Sequence, residues 1–369
     1  AFEPTLEDYT VVFRAWARAG YAKYAGKRAL SLLKKMESLA AGENEMTTVK
    51  PDVTCYKYVL QAFSESKAQY LEGLGYQGET ILSRMEENGL VPDSDCFTYA
   101  IQTWSNSACR NELTEEDVYE YALKAHQLLD KKTQMHFRSG IVAVKTSTLD
   151  YNNVMRAWSR SSSEEGIQNV EKLLSTIERL YAKGDAEMKP NYESYNHAIN
   201  ALGNDAHIGD QIDCVLDLLT RMNAQYKDGN NDCKPNIQCY NAVINFCGNG
   251  KFKTASDEEK RSALKCTIKI IQELKDSRKV ASNSRTYSLA LEAFNVLMDT
   301  RSEEFARVID SLFGRCCSEG LVDDKVIKAF HRVAPYSLYR RSVLAAASPD
   351  KEIDGTTISE TLFLPEEWT

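Results

Sequence analysis

Seven times along the chain a polar side chain directly follows an aromatic one, with further residues at four and eight positions beyond it. The sets are Thr10/Arg14/Arg18, Lys57/Gln61/Glu65, Thr98/Gln102/Asn106, Asn152/Arg156/Arg160, Asn196/Asn200/Asn204, Asn241/Asn245/Asn249 and Ser288/Glu292/Val296. Residues four apart lie on one helix face, so each set is a stripe rather than a scatter. Asn is a poor helix former, whereas its amide offers a donor and an acceptor side by side. Such a stripe is suited to recognising a ligand edge that itself mixes donors and acceptors. Catalytic chemistry finds no counterpart: there is no Gly-rich phosphate loop, no paired Cys/His zinc motif and no Asp-rich nuclease stretch. The ten cysteines contain no CxxC pair and the five histidines (126, 136, 197, 207 and 331) are not clustered with them. The expectation is a non-enzyme without metal or cofactor, carrying free thiols in a reducing compartment. Cys316 and Cys317, adjacent on a helix, should divide into one buried and one exposed thiol.

The elements that must position these stripes repeat. "KPNYESYNHAINALGND" (189–205) and "KPNIQCYNAVINFCGNG" (234–250) are near copies. Aligned on their Tyr, the registers are Tyr9, Tyr56, Phe97, Tyr151, Tyr195, Tyr240 and Tyr287, at intervals of 47, 41, 54, 44, 45 and 47 residues. Pro4, Pro51, Pro92, Pro190 and Pro235 each stand five residues before the aromatic. Proline cannot continue a helix and biases its predecessor towards extended backbone, so each marks a linker ahead of a new helix. Within that helix Phe13, Leu60, Ile101, Met155, Ile199, Ile244 and Leu291 form an apolar face with Trp16, Phe63, Trp104, Trp158, Leu202, Cys247 and Phe294. A second helix follows each time, with a matched cluster ending at Met36, Met85, Lys132, Ile177, Met222, Leu274 and Leu312. Ser162 with Glu165, Ser256 with Glu259 and Thr114 with Asp117 read as capping boxes at second-helix starts.

One such hairpin cannot bury its apolar face alone, and stacked neighbours can. The expected fold is therefore all-α, a right-handed superhelical solenoid of stacked helix-turn-helix hairpins. About seven repeats and a terminal helix should occupy residues 1–347, with 348–369 an irregular tail. The chain opens on Ala1 and a linker proline without a charged-then-apolar leader, so the expectation is that any targeting segment has been removed or lies outside this sequence, and that upstream repeats are missing from it. Net charge is −8, which excludes broad, purely electrostatic adhesion to nucleic acid or anionic lipid, and no apolar run reaches membrane-spanning length.

The run Pro-Asp/Asn, three residues, Tyr-Asn, an amphipathic helix and a second helix ending in Leu-Leu-x-x-Met resembles the pentatricopeptide repeat over residues 4–334, most closely in the two near copies. The resemblance implies a single-stranded RNA-binding protein that contacts about one base per repeat. It also implies a role in organellar RNA processing, stability or translation, in a mitochondrion or plastid. In that family, base choice is associated with the residue after the Tyr and the last residue of the repeat. Carried over, the pairs are Thr10/Asp52, Lys57/Asp93, Thr98/Ser147, Asn152/Asn191, Asn196/Asn236, Asn241/Asn283 and Ser288/Asp324. Hydroxyl with carboxylate resembles the guanine pair and Asn with Asn the pyrimidine pair, which predicts a ligand reading G, two unassigned bases, three pyrimidines and G. Arg14, Arg18, Arg156 and Arg160 would meet phosphates. The base-clamping position is apolar only at Leu149 and otherwise holds Glu7, Thr54, Asp95, Glu193, Gln238 and Arg285. A peptide- or protein-binding scaffold of the tetratricopeptide kind is the alternative, with other proteins as partners.

Overall fold

The structure, a computed structural model, describes residues 4–19, 22–40, 49–66, 73–139, 144–204, 211–276 and 280–339. The expected tail, 348–369, lies outside them, as do residues 340–347. Each expected linker proline hands over to a capping residue. Pro4, Pro51, Pro92, Pro190 and Pro235 are followed by Thr5, Asp52, Asp93, Asn191 and Asn236, whose side-chain oxygens accept the backbone N–H three residues on. Such an acceptor satisfies one of the four N–H groups that a helix start leaves open, so proline and cap together restart the helix in each repeat.

The chain divides into two compact units, Ala1–Asn204 and Asp205–Thr369. The first holds α1 (Leu6–Arg18), α2 (Ala25–Ala40), α3 (Val53–Ser64), α4 (Leu74–Glu87), α5 (Ser94–Ala108), α6 (Glu115–Ser139), α7 (Thr148–Trp158), α8 (Glu164–Ala182) and α9 (Tyr192–Asn204). The odd-numbered helices stack in order, α1 on α3, α3 on α5, α5 on α7 and α7 on α9. Each even-numbered helix lies against its own first helix and the next one. The second unit holds α10 (Gln211–Lys227), α11 (Ile237–Cys247), α12 (Asp257–Asp276), α13 (Ser284–Leu297), α14 (Glu303–Ser318) and α15 (Asp324–Val333). There α11, α13 and α15 form the stack, with α12 against both α11 and α13. No strand occurs among the described residues, and the fold class is an all-α repeat solenoid.

The repeated apolar positions form the core. Phe13, Leu60, Ile101, Met155, Ile199, Ile244 and Leu291 are all fully buried, as are the second-helix residues Met36, Met85, Ile177 and Met222. The departure is Lys132, which occupies the methionine position of the third repeat at 0% exposure. Of the expected capping boxes, Thr114/Asp117 and Ser256/Glu259 exchange both hydrogen bonds. At α8 the expectation of Ser162 with Glu165 is corrected: Ser163 is the cap and accepts from the Gly166 N–H, one residue further on. Cys316 is buried and Cys317 exposed, as their adjacency on α14 requires.

Candidate nucleic-acid interface

The residue after each aromatic sits in the first turns of an odd-numbered helix, and at Lys57, Thr98, Asn152 and Asn241 it reaches the start of the next one. Its expected partner is that helix's N-cap. The cap consumes one oxygen: Cys96 N–H donates to Asp93 Oδ1, Ser194 N–H to Asn191 Oδ1 and Thr286 N–H to Asn283 Oδ1. What remains for a ligand then depends on residue type. An aspartate cap retains a second acceptor oxygen, while an asparagine cap retains an amino group.

Two Asn pairs are joined directly. Asn152 Nδ2 donates to Asn191 Oδ1 at 3.0 Å and Asn241 Nδ2 to Asn283 Oδ1 at 3.3 Å. Because the accepting oxygen is already held by a backbone N–H, the amino group of the first Asn has to face it. Its own Oδ1 is thereby turned away from the pair. In Asn152 that oxygen accepts from the Ser194 hydroxyl at 2.7 Å. Asn241 is 6% exposed and Asn196 9%, yet the Oδ1 of each has no hydrogen-bond partner among the described residues. Asn196 and Asn236 belong to different units.

The remaining pairs are arranged differently. Lys57 Nζ lies 3.4 Å from Asp93 Oδ2 and 3.5 Å from Asp95 Oδ2. Burial lowers the Lys57 pKa, but the two carboxylates outweigh it and the net shift is upward. Thr98 and Ser147 both converge on Asp150. The Thr98 hydroxyl donates to Asp150 Oδ1 at 2.6 Å, and the Ser147 N–H and hydroxyl donate to Oδ2 at 2.8 and 3.1 Å. Lys132 closes this group from α6, donating to Asp150 Oδ2 at 2.7 Å and Thr98 Oγ1 at 2.9 Å. Thr10 donates to Leu6 O, one turn back on its own helix, while Asp52 caps α3. For Ser288 the register is corrected. Asp323, not Asp324, caps α15, accepting from Lys325 and Val326 N–H at 2.9 Å each, and Asp324 is the first helical residue.

The stripes run outward along each helix. Arg14, Arg18 and Arg160 are exposed. Arg156 is partly buried, and its guanidinium is committed to α5: Nε donates to Ser105 Oγ at 2.9 Å and a terminal nitrogen donates to Asn106 Oδ1. Asn106 and Asn204 donate to Ser64 O and Ser159 O, the carbonyls that end α3 and α7. These two stripe residues therefore serve as caps between neighbouring repeats. The clamp positions Glu7, Asp95, Leu149, Glu193, Gln238 and Arg285 are exposed and Thr54 partly so.

Sequence reasoning missed the residue three places after each cap: Cys55, Cys96, Asp150, Ser194, Cys239 and Thr286. All but Val326 in the last register carry a polar or sulfur atom there, a recurrence visible in the sequence immediately before each aromatic. Burial pushes the Cys55 thiol up to about 12 and that of Cys239 to about 11, so both are un-ionised at neutral pH. Among the described residues no group of His, Cys, Asp and Glu could hold a metal ion, and no helix is long and apolar enough to cross a membrane.

No protein-family model matches the chain, and no curated protein matches it. Solved structures similar to it include the pentatricopeptide repeat protein PPR10 in complex with an 18-nucleotide psaJ RNA element, at 15% identity and a TM-score of 0.44. That likeness covers 94% of this chain and 46% of the other. PPR10 from maize is similar at 17% identity and a TM-score of 0.38, over 94% of this chain and 49% of that one. The chain thus spans about half the length of these proteins. Its structural neighbours are pentatricopeptide repeat proteins, and what the likeness covers is the fold.

Proposed function

We propose that the chain binds single-stranded RNA, base by base, through the residue after each repeat aromatic and the cap of the next first helix. The observation that carries this reading is the pair of buried, unpartnered acceptors, Asn196 Oδ1 and Asn241 Oδ1. A buried polar atom without a partner costs about 1–3 kcal/mol, a cost that a ligand N–H would relieve on binding. Cytosine N4–H and uracil N3–H are such donors, next to acceptors that the remaining amide N–H can reach. The retained oxygen of an aspartate cap suits guanine, whose pairing edge carries two N–H donors.

The pentatricopeptide resemblance supports a further proposal, that the chain acts in processing, stabilising or translating transcripts of a mitochondrion or plastid. The second reading is a peptide-binding scaffold, favoured by exposed polar side chains at the clamp positions Glu7, Asp95, Glu193, Gln238 and Arg285. Selection from a randomised single-stranded RNA pool, followed by fluorescence anisotropy at near-physiological salt, separates the two. Enrichment of pyrimidines at the positions of Asn196 and Asn241 is expected. A pool that shows no enrichment and no binding would overturn the RNA reading in favour of the scaffold.

A further inference from the structure

Three Asn-headed registers look alike in sequence and differ in the structure. Asn152 and Asn241 each donate Nδ2 to a capping Asn. Beneath Asn152, however, the Ser194 hydroxyl lies 3.1 Å from the cap oxygen Asn191 Oδ1 and closer still, at 2.7 Å, to Asn152 Oδ1, to which it donates. Beneath Asn241 the corresponding hydroxyl, Thr286 Oγ1, donates to the cap oxygen Asn283 Oδ1 at 3.1 Å, and Asn241 Oδ1 has no partner. A β-branched side chain is confined to fewer rotamers than serine, and here the hydroxyl stays with the cap. Two asparagines of the same type thus present different chemistry: a satisfied acceptor in a residue 3% exposed, and a buried acceptor without a partner in a residue 6% exposed. The Thr98 register goes further along the same line. The Thr98 hydroxyl lies 2.6 Å from Asp150 Oδ1 and 3.0 Å from Ser94 O, and Lys132 donates to the same oxygen, with Asp150 and Lys132 both fully buried.

We propose that the residue three places after a cap, here Asp150, Ser194 and Thr286, is a third specificity-determining position, which sets whether the reading side chain above it is left for a base. Ser194 closes the Asn152 register and Asp150, with Lys132, closes the Thr98 register. Both are then indifferent to base identity, whereas the registers of Asn196 and Asn241 select pyrimidines. This rests on the RNA reading above and deepens it, since the expected ligand carries two strongly selected pyrimidines where the three Asn pairs by themselves imply three.

The test compares the wild-type chain with Ser194→Ala and Ser194→Cys in selection from a randomised single-stranded RNA pool, then in titrations of fixed oligonucleotides. Cysteine already occupies this place at Cys55, Cys96 and Cys239, so the second variant keeps a side chain that the fold accepts, and a thermal melt checks both. Wild type should select pyrimidines at two positions, and each variant should add a third. At that third position, exchanging a pyrimidine for a purine should change the wild-type Kd by less than about threefold and the variants' by about tenfold, within the range of a good base contact. Two results would overturn the proposal while leaving RNA binding standing: selection at three pyrimidine positions by wild type, or folded variants that keep two positions and gain none. If none of the three proteins binds single-stranded RNA, the RNA reading itself fails and the gating proposal falls with it.

Discussion

Lys132 and Asp150 show how one residue type alters a repeat. The position of Lys132 holds Met in three other repeats, Met36, Met85 and Met222, all buried. A buried ammonium is tolerated only with a partner, and Asp150 lies 2.7 Å away at the start of α7. Lys132→Met alone should destabilise the chain by about 3–5 kcal/mol, because it strands a buried carboxylate. Lys132→Met with Asp150→Thr, a combination built from residues that other repeats use, should recover most of that loss. Urea unfolding midpoints of the single and double variants measure both. A second residue-scale expectation concerns His197. Burial and the nearby Arg156 guanidinium hold its pKa down to about 3, against an ordinary 6.5, so the unfolded chain binds the proton more readily than the folded one. Its contribution to stability is complete above pH 6.5 and declines as pH falls from there towards 3. Replacing His197 by Gln should flatten the stability profile in that window, as read from unfolding midpoints at a series of pH values.

Between elements, close approach and bracketing hydrogen bonds hold successive repeats in place. Gly75 and Gly78 bring α4 onto α5: a Cβ at Gly75 would lie 2.0 Å from the Trp104 ring, and one at Gly78 would lie 2.3 Å from Thr103 Oγ1. Trp104 is fully buried and has little room to retreat. Gly75→Ala, normally favourable in a helix, should therefore destabilise by about 1–3 kcal/mol as an overpacked contact, measured by thermal unfolding. The repeat tyrosines act at the same scale. Tyr56 donates to Glu37 on α2 at 2.7 Å, Tyr195 to Glu178 on α8 at 2.7 Å, and Tyr287 to Glu319 just after α14 at 2.6 Å. Each of these three hydroxyls ties a first helix to a carboxylate on a second helix or at its end. Tyr195→Phe should cost about 1–2 kcal/mol, the value of a hydrogen bond to a charged group or slightly less.

For the molecule as a whole, a net charge of −8 makes the few exposed cations of the stripes informative. Arg14 and Arg160 are free of the contacts that hold Arg156 to Ser105 and Asn106. If they meet phosphates, replacing both by Gln should weaken RNA binding about equally for all sequences. It should also lower the salt dependence by about one phosphate contact per arginine. Arg156→Gln should instead lower the unfolding midpoint, because it removes hydrogen bonds between α7 and α5. Anisotropy titrations at several salt concentrations, paired with melts, distinguish the two classes of arginine.

The repeat period, the linker prolines and the apolar faces were legible in the sequence, because a helix face and a linker are set by local spacing and backbone restriction. That Asp52, Asp93, Asn191, Asn236 and Asn283, second members of pairs in the repeat register, are also helix caps emerged from the structure. Two more things depended on the tertiary structure. The stripe did not reveal that Asn106 and Asn204 are used up as caps on the preceding helix, or that Arg156 is tied to α5, since these partners lie 42 to 51 residues away. Nor could spacing distinguish Asn152 from Asn241. Both are Asn, both follow Tyr and both precede a capping Asn, and they differ in that the Ser194 hydroxyl reaches Asn152 Oδ1 as well as its cap, whereas the Thr286 hydroxyl reaches its cap and leaves Asn241 Oδ1 without a partner. A hydrogen bond is decided by angles and a few tenths of an ångström, and that geometry is set by how neighbouring helices pack, not by the order of residues along either one.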